Sequence, residues 1–594
     1  MAILSLVLIL MINSQILWIA LAVSMVVLIG FWLSRRHSML TQGLGWLTIP
    51  IITLTFCLIF VLFKPGNLFN INLPAEVGLS QKGGLSVIKE VIKQSPILGT
   101  GPETFVYNYS LYKPAGVNQT IFWNIRFTNA PSEILSLLSE IGILGVLALL
   151  ISVAVFIVKM LKNLISAKDE TEQMPGLKIG LFSTWLTSII VWFIYPQNFT
   201  LYLVFWLFLA LLTIISSKKE EIKMINLKAP NKIALLTSFG FIIIMIATIG
   251  LLYLEGSRFI AEAKFQRGLN LIDNGKLDDG INKGIKATIT NPYEDRFYNN
   301  LAQFFLLQIN QNINNEKLGK EEQTKMVQTG INNAITSATR ATALNTKDVS
   351  NWIVQGLVYK NLIGLVADTG NWAIKSYEEA LKLEPENPFT YTEIARTYAA
   401  DANLLSQQAQ TDKAVQEKMQ ELINNAIGAY NKAIDIKSDY ATAHFELALL
   451  YAQLGQIKEA IAGMEKSKTL APNDVGVAFQ LGVLYYKNSQ FDKAKAEFTR
   501  ALGMDENYSN ARYFLGLIYD KEGNRQDAIE QFEMIEKLNP DNDQIKQILA
   551  NLRAGKPALG STNAIPGQPK QTPVEEKQPD QLKTQSKTQL PQSK

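Results

Sequence analysis

The chain has 594 residues, 48% of them apolar, with a formal net charge of +4. That is too long for a single core, and the apolar share averages a membrane-like stretch to about residue 254 with a polar remainder. So small a charge with no strongly basic block speaks against a nucleic-acid partner, the lone Cys57 excludes an internal disulfide, and two distant histidines, His37 and His444, exclude a His-rich metal site.

Residues 2–33 are almost continuously apolar, broken only at Asn13, Ser14 and Gln15, and read as a partial span followed by a full one over 16–34. Further charge-free spans are expected over 44–63, 141–158, 179–195, 200–215 and 233–254, with a re-entrant segment as the alternative for 200–215. Basic residues mark one side: Arg35 and Arg36 in the first short loop, Lys159, Lys162 and Lys168 in the next on that face, and Lys218, Lys219, Lys223, Lys228 and Lys232 in the third. Because such residues are retained in the cytoplasm, the loop of about 65–140 and everything after residue 254 are expected outside it.

That loop carries the candidate chemistry. Its Ser86–Gln94 stretch has apolar pairs at helical spacing and is expected to lie as an amphipathic helix on the membrane surface. Pro96 ends it, and Gly99 and Gly101 permit either a plain turn or a close approach of backbone amides to an anion. Arg126 is suited to an anionic group, since a guanidinium pairs with carboxylate or phosphate oxygens through two parallel hydrogen bonds, and Lys113 adds a point charge. Glu133 and Glu103 are candidate general bases if burial raises them, or else a helix-terminal charge and a solvated carboxylate. Tyr107, Tyr109, Tyr112, Phe122 and Trp123 suit either sugar faces or the lipid headgroup belt.

The order of these parts is more specific than any one of them. A helix, the turn Pro96-Ile-Leu-Gly99-Thr-Gly101-Pro-Glu-Thr-Phe105, a polar loop, and Leu135-x-x-Leu138-x-Glu140-x-Gly142-x-x-Gly145 entering a span resemble the large outer loop of the O-antigen ligase and polymerase superfamily, over about residues 15–254. The resemblance implies a polytopic protein of the bacterial cytoplasmic membrane that transfers a glycan from a polyprenyl-diphosphate carrier, with no metal or other cofactor. It implies roles for Arg126 at the diphosphate and for Gly99, Gly101 and Lys113 beside it. Pro131 and Ser132 stand where the family carries a His-Asn pair, and only about six and a half spans are present, which implies a truncated or degenerate member.

From Gly256 a different pattern begins. Leu447-Ala448-x-x-Tyr451 with Ala460 and Pro472 recurs 34 residues on as Leu481-Gly482-x-x-Tyr485 with Ala494 and Phe498, and again as Leu515-Gly516-x-x-Tyr519 with Ala528, Phe532 and Pro540. This resembles the tetratricopeptide repeat, in which small residues let paired helices approach. Looser copies around Trp352, Gly356 and Tyr377, Ala395 and Tyr430, Leu301 and Ala334, and Gly268 and Ala287 bring the total to about seven over 255–553. Polar insertions near 311–325 and 401–421 are expected to lengthen helices, and the Pro/Gln/Lys-rich residues 554–594 to stay unfolded. The expected fold is all-α: a polytopic transmembrane bundle followed by a tetratricopeptide α-solenoid. Phe445, Phe479 and Tyr513 recur at one helix position, and with Tyr486 they line either a concave groove for a protein or peptide or the packing between repeats. Two functions compete, glycan transfer at the membrane and a non-catalytic scaffold anchored there.

Overall fold

A computed structural model describes residues 9–34, 45–64, 77–166, 175–216, 231–315 and 317–560, all helix and connecting turn with no strand among them. Arg35, Arg36, His37, Lys168, Lys218, Lys219, Lys223, Lys228 and the tail beyond residue 560 lie outside the described residues.

The apolar segments form the helices Gln15–Ser34, Gly45–Phe63, Gly142–Ser166, Pro175–Ile194, Phe199–Ser216 and Asn231–Asp273. Four described helices are long and apolar enough to cross a membrane: those over Gly142–Leu164, Leu177–Ile194, Phe199–Ser216 and Leu235–Asp273. Phe199–Ser216 runs unbroken, with Phe205 and Leu212 buried, so no re-entrant turn interrupts it. Phe205 lies between Trp185 and Trp192 at 5.6 and 4.6 Å, joining the third, fourth and fifth apolar helices in one cluster. Ser24 and Thr187 share a hydroxyl hydrogen bond of 2.8 Å that ties the first apolar helix to the fourth, the kind of polar contact that holds helices together where water offers no hydrophobic drive. Cys57 is buried on the second helix beside Trp18 and Phe60.

Asn231–Asp273 runs 43 residues without a break through the compositional boundary at 254, leading directly into the first hairpin. The chain divides elsewhere, into one compact unit of Met1–Val358 with Glu378–Glu386 and another of Tyr359–Tyr377 with Asn387–Lys594. Helices then follow in pairs down to Ser509–Lys521 and Arg525–Leu538, closed by Asp543–Arg553. The insertions lengthen helices, giving Lys320–Leu344 and Lys413–Ile436 at 25 and 24 residues. Packing continues past Arg553: Ala558 is buried and its amide donates to Asp520 Oδ2 at 2.8 Å, so the array ends later than composition suggests.

Gly516 sets the spacing of its hairpin. A Cβ there would stand 2.6 Å from the ring of buried Phe532, which cannot swing out of a fully packed core. Gly516→Ala should therefore lower stability by about 1–3 kcal/mol through overpacking, while Gly503→Ala, with nothing within 4 Å of its added methyl, should be neutral or stabilising by up to about 1 kcal/mol through helix propensity. Thermal unfolding of the two purified variants checks the sign.

Candidate functional site

The loop folds as a small body of its own. Ser80 caps Gln81–Gln94 by accepting from the Gly83 amide at 3.1 Å, and the apolar face Val87, Ile88 and Val91 is buried against Phe105, Tyr109, Phe127 and Ala130. The expectation that this helix lies on a membrane surface is thereby corrected: its apolar stripe already has a protein partner.

Gly99 and Gly101 are held at φ of +66° and +110°. Thr100 N donates to Ser139 O at 3.0 Å and Gly101 N to Glu140 O at 2.9 Å, while Ile143 N returns a bond to Pro96 O at 3.0 Å. A Cβ on Gly99 would lie 2.5 Å from the Glu140 carbonyl carbon, so two backbones cross here at a distance that requires glycine. The amides that would have faced an anion instead cap the C-terminal carbonyls of Glu133–Glu140. From that helix the Glu140 carboxylate reaches back to the Glu103 and Phe105 amides. Burial pushes the Glu140 carboxyl above its ordinary range, against the pull of those two amides, and Glu133 and Glu103 add to the rise. Glu103 itself is exposed, at φ +58° in the turn.

Arg126 and Lys113 meet a carboxylate of the chain. Arg126 donates from Nε and Nη2 to Glu384 Oε2 at 3.0 and 2.6 Å, and from Nη1 to Ser350 Oγ at 2.9 Å. Lys113 is buried, donates to the Trp123 carbonyl, and holds Nζ 3.9 Å from Glu384 Oε1. Glu384 is only 4% exposed. Burial and this nearby carboxylate both push the Tyr109 hydroxyl well above its ordinary pKa. Two neutral bonds extend the same contact: Asn345 Nδ2 to Tyr107 Oη at 3.0 Å, and Asn118 Nδ2 to Glu386 O at 2.9 Å. The diphosphate ligand expected from sequence is thus a bridge from loop to hairpin, and Tyr107 and Tyr109 belong to that bridge and core.

Glu133 is buried, and both its oxygens are occupied. Oε2 accepts from the Gln197 amide at 3.0 Å and Oε1 from the Tyr202 hydroxyl, fixing the loop helix to the first turn of Phe199–Ser216 and to the short turn before it. Ser132, in the position of the missing Asn, is the buried residue preceding that helix. No group of three or more His, Cys, Asp or Glu side chains suited to a metal occurs among the described residues.

In the second unit, Phe479 is buried with Tyr508, Phe514 and Phe498 at 5.3, 5.9 and 6.0 Å from its ring. Tyr513 is buried against Phe532 at 5.7 Å, Tyr486 packs on Phe491 and Phe514, and Phe445 is half-buried against the same core. Burial raises the Tyr486 and Tyr513 hydroxyls.

Family models described as tetratricopeptide repeats match residues 420–455, 441–474 and 485–552. These hairpins are tetratricopeptide repeats. No curated protein matches the chain. Similar solved structures include YrrB, a tetratricopeptide protein with an unusual peptide-binding site, at 21% identity over 35% of this chain and 95% of that one with a TM-score of 0.26. A tetratricopeptide repeat protein from Parabacteroides merdae matches at 16% identity over 49% and 98% with a TM-score of 0.32. PilF of Pseudomonas aeruginosa matches at 14% over 43% and 99%, TM-score 0.28.

Within the tetratricopeptide array the aromatic row fills the space between neighbouring repeats, the second of the two alternatives open to it, and Phe479 and Tyr513 present little surface to a ligand. The polar residues beside it were not found from sequence. Glu393, 2% exposed, pairs with Lys360 at 2.6 Å and with Arg396, whose Nε reaches Glu446 Oε2 at 2.7 Å, and Tyr430 donates to that same oxygen at 3.0 Å. Glu393 and Glu446 each stand just before the apolar–small pair of their repeat, Ile394-Ala395 and Leu447-Ala448, but Gln480 and Phe514 take that position in the two regular copies that follow, so the clearest repeats give no sign of them. Glu384 carries no signal either, being one carboxylate in a Leu383-Glu-Pro-Glu turn.

Removing Glu384 would leave Lys113 buried beside Arg126 with no carboxylate between them. Glu384→Ala should cost about 3–5 kcal/mol, the scale for breaking a buried pair from one side, and should release the loop. Hydrogen exchange over residues 105–127, compared with wild type, reads that loosening directly.

Proposed function

We propose that the chain is a membrane-anchored tetratricopeptide scaffold that presents its array for protein or peptide partners outside the cytoplasm of a bacterium. The observation that carries this reading is the use made of Arg126: its guanidinium is bonded to Glu384 and Ser350 of the hairpins rather than open to a phosphate. Lys113, the Gly99–Gly101 turn and Glu133 are likewise committed to internal contacts. A loop arranged this way fastens the first hairpins to the apolar helices. The orientation is supported by Lys159 and Lys162 at the end of Gly142–Ser166 remote from the loop, and by Lys178, which donates to Asn163 at 3.1 Å at that same end.

Glycan transfer from a polyprenyl-diphosphate carrier is the second reading. It is favoured by the interlock of Gly99, Gly101, Phe105, Glu140 and Gly142, the residues through which the loop resembles the ligase superfamily, and by the burial-raised carboxyl of Glu140, which would be a better base than an ordinary glutamate. This route requires Arg126 to leave Glu384.

Two measurements separate the readings. A periplasm-active reporter fused after Arg553 should work and a cytoplasm-only reporter should stay silent. Purified full-length protein given polyprenyl-diphosphate-linked oligosaccharides should show no transfer. Transfer by wild type that falls by about 10²–10³-fold in Arg126→Lys would replace the scaffold with the enzyme.

A further inference from the structure

From Val349 onward the hairpin turns are regular except at two. Three residues separate the helices of the hairpins at 454–456, 488–490 and 522–524, whereas seven separate Val349–Asn361 from Thr369–Leu383 and seven separate Pro388–Leu405 from Lys413–Ile436. In a solenoid, insertions map to loops on one face, often the binding face. The first widened turn, with the end of Pro388–Leu405, borders an open cavity of about 360 Å³ whose lining includes Leu365, Val366, Asp368, Gly370, Asp401 and Leu404.

The lining is unlike the rest of the array. Leu365 and Leu404 are 50% and 58% exposed, and Trp372 on the adjoining helix is 52% exposed with its ring 6.3 Å from that of Tyr359. Lys375 Nζ sits 4.9 Å from the Trp372 ring. The Asp401 carboxylate packs so closely on Gly370 that any side chain there would collide with it, yet among the described residues it meets neither a cation nor a hydrogen-bond donor. Burial raises that carboxyl from its ordinary value, and nothing offsets the rise.

We propose that this cavity receives a lysine or arginine from a partner polypeptide, its cation set against Asp401 and its alkyl stem between Leu365 and Leu404. The proposal rests on the scaffold reading and names the partner's chemistry. A half-buried carboxylate with no counter-charge is stabilised by an arriving cation, and Asp368 adds a second negative charge at the rim. Lysine and arginine bury their stems on apolar surface while the head stays charged, which matches a leucine-lined mouth with an acid inside. An exposed tryptophan beside such a mouth is the residue type that most often anchors an interface. A divalent cation fits less well, because two carboxylates are too few oxygens for a hard ion and, among the described residues, no third acidic side chain joins them.

The test is a random-peptide display selection on detergent-purified full-length protein, followed by fluorescence-anisotropy titration of the enriched peptides. Enriched sequences should share a lysine or arginine beside an apolar residue. Affinity should fall by about ten-fold or more when Asp401 is changed to asparagine or the peptide lysine to norleucine. Leu404→Ser, on the exposed rim, should also weaken binding and keeps the test decisive if Asp401→Asn does not fold by circular dichroism. Peptides without a shared basic residue, or unchanged affinity in these variants, would overturn the pocket while leaving a peptide-binding scaffold in place. Absence of any enriched peptide would remove the pocket and count against the scaffold reading too. Calcium alone raising the melting temperature of wild type but not of Asp401→Asn, with no basic peptide bound, would make the cavity a cation site.

Discussion

One buried carboxylate governs how the loop is held. Taking Glu384 out of water costs several kcal/mol, which an isolated hairpin end could offset only by exposing or protonating it. Arg126 and Lys113 supply the counter-charge from a segment more than two hundred residues earlier, and Ser350 takes the remaining arm of the guanidinium. Neither side is stable in this form without the other: the loop would bury a lysine with no acid, and the hairpin an acid with no base. Asn118 and Tyr107 then need only short neutral bonds to complete the contact.

The loop can offer Arg126 at that place because its backbone is locked on both sides of it, at Pro96–Gly101 and at Ser139–Ile143. Gly99 and Gly142 bring two chain segments within backbone hydrogen-bonding distance, and the Glu140 carboxylate caps the turn leading into buried Phe105. Glycine, acid and aromatic form one mechanical joint between the loop and the head of Gly142–Ser166. Such a joint would be equally useful beneath an active site or beneath a docking surface, which is why motif likeness alone does not establish chemistry. What distinguishes the two is where the charged side chains go after the joint is made, and here they go to the hairpins.

The apolar helices and the repeat were readable because both depend on sums over many residues. Hydropathy over Phe199–Ser216 or small-residue spacing at Ala448, Gly482 and Gly516 survives any single misreading. Partners were not readable, because Arg126 and Glu384 are joined by nothing in local sequence. The same limit explains the aromatic row: periodicity places Phe445, Phe479 and Tyr513 on one side of a helix, but whether that side meets water depends on Tyr508 and Phe514 of the next repeat. The amphipathic pattern of Gln81–Gln94 likewise predicts an apolar surface to cover without saying whether lipid or Phe105 and Tyr109 will cover it.

Glu393 shows what a structural carboxylate looks like in this array, and Asp401 is measured against it. Burial alone would push Glu393 up, yet Lys360 and Arg396 hold it below its ordinary value, and Arg396 passes the charge on to Glu446 and Tyr430. The chain of alternating charges runs through helices of three successive hairpins, so these three are stacked by polar as well as apolar contacts. Eight residues along the same helix, Asp401 has burial without either cation, and its carboxyl is raised. The array evidently has the basic residues to satisfy an internal acid where stacking calls for one. A carboxylate left unsatisfied at the mouth of a cavity, beside a turn that breaks the register of its hairpin, is therefore better explained by something that arrives than by the needs of the fold.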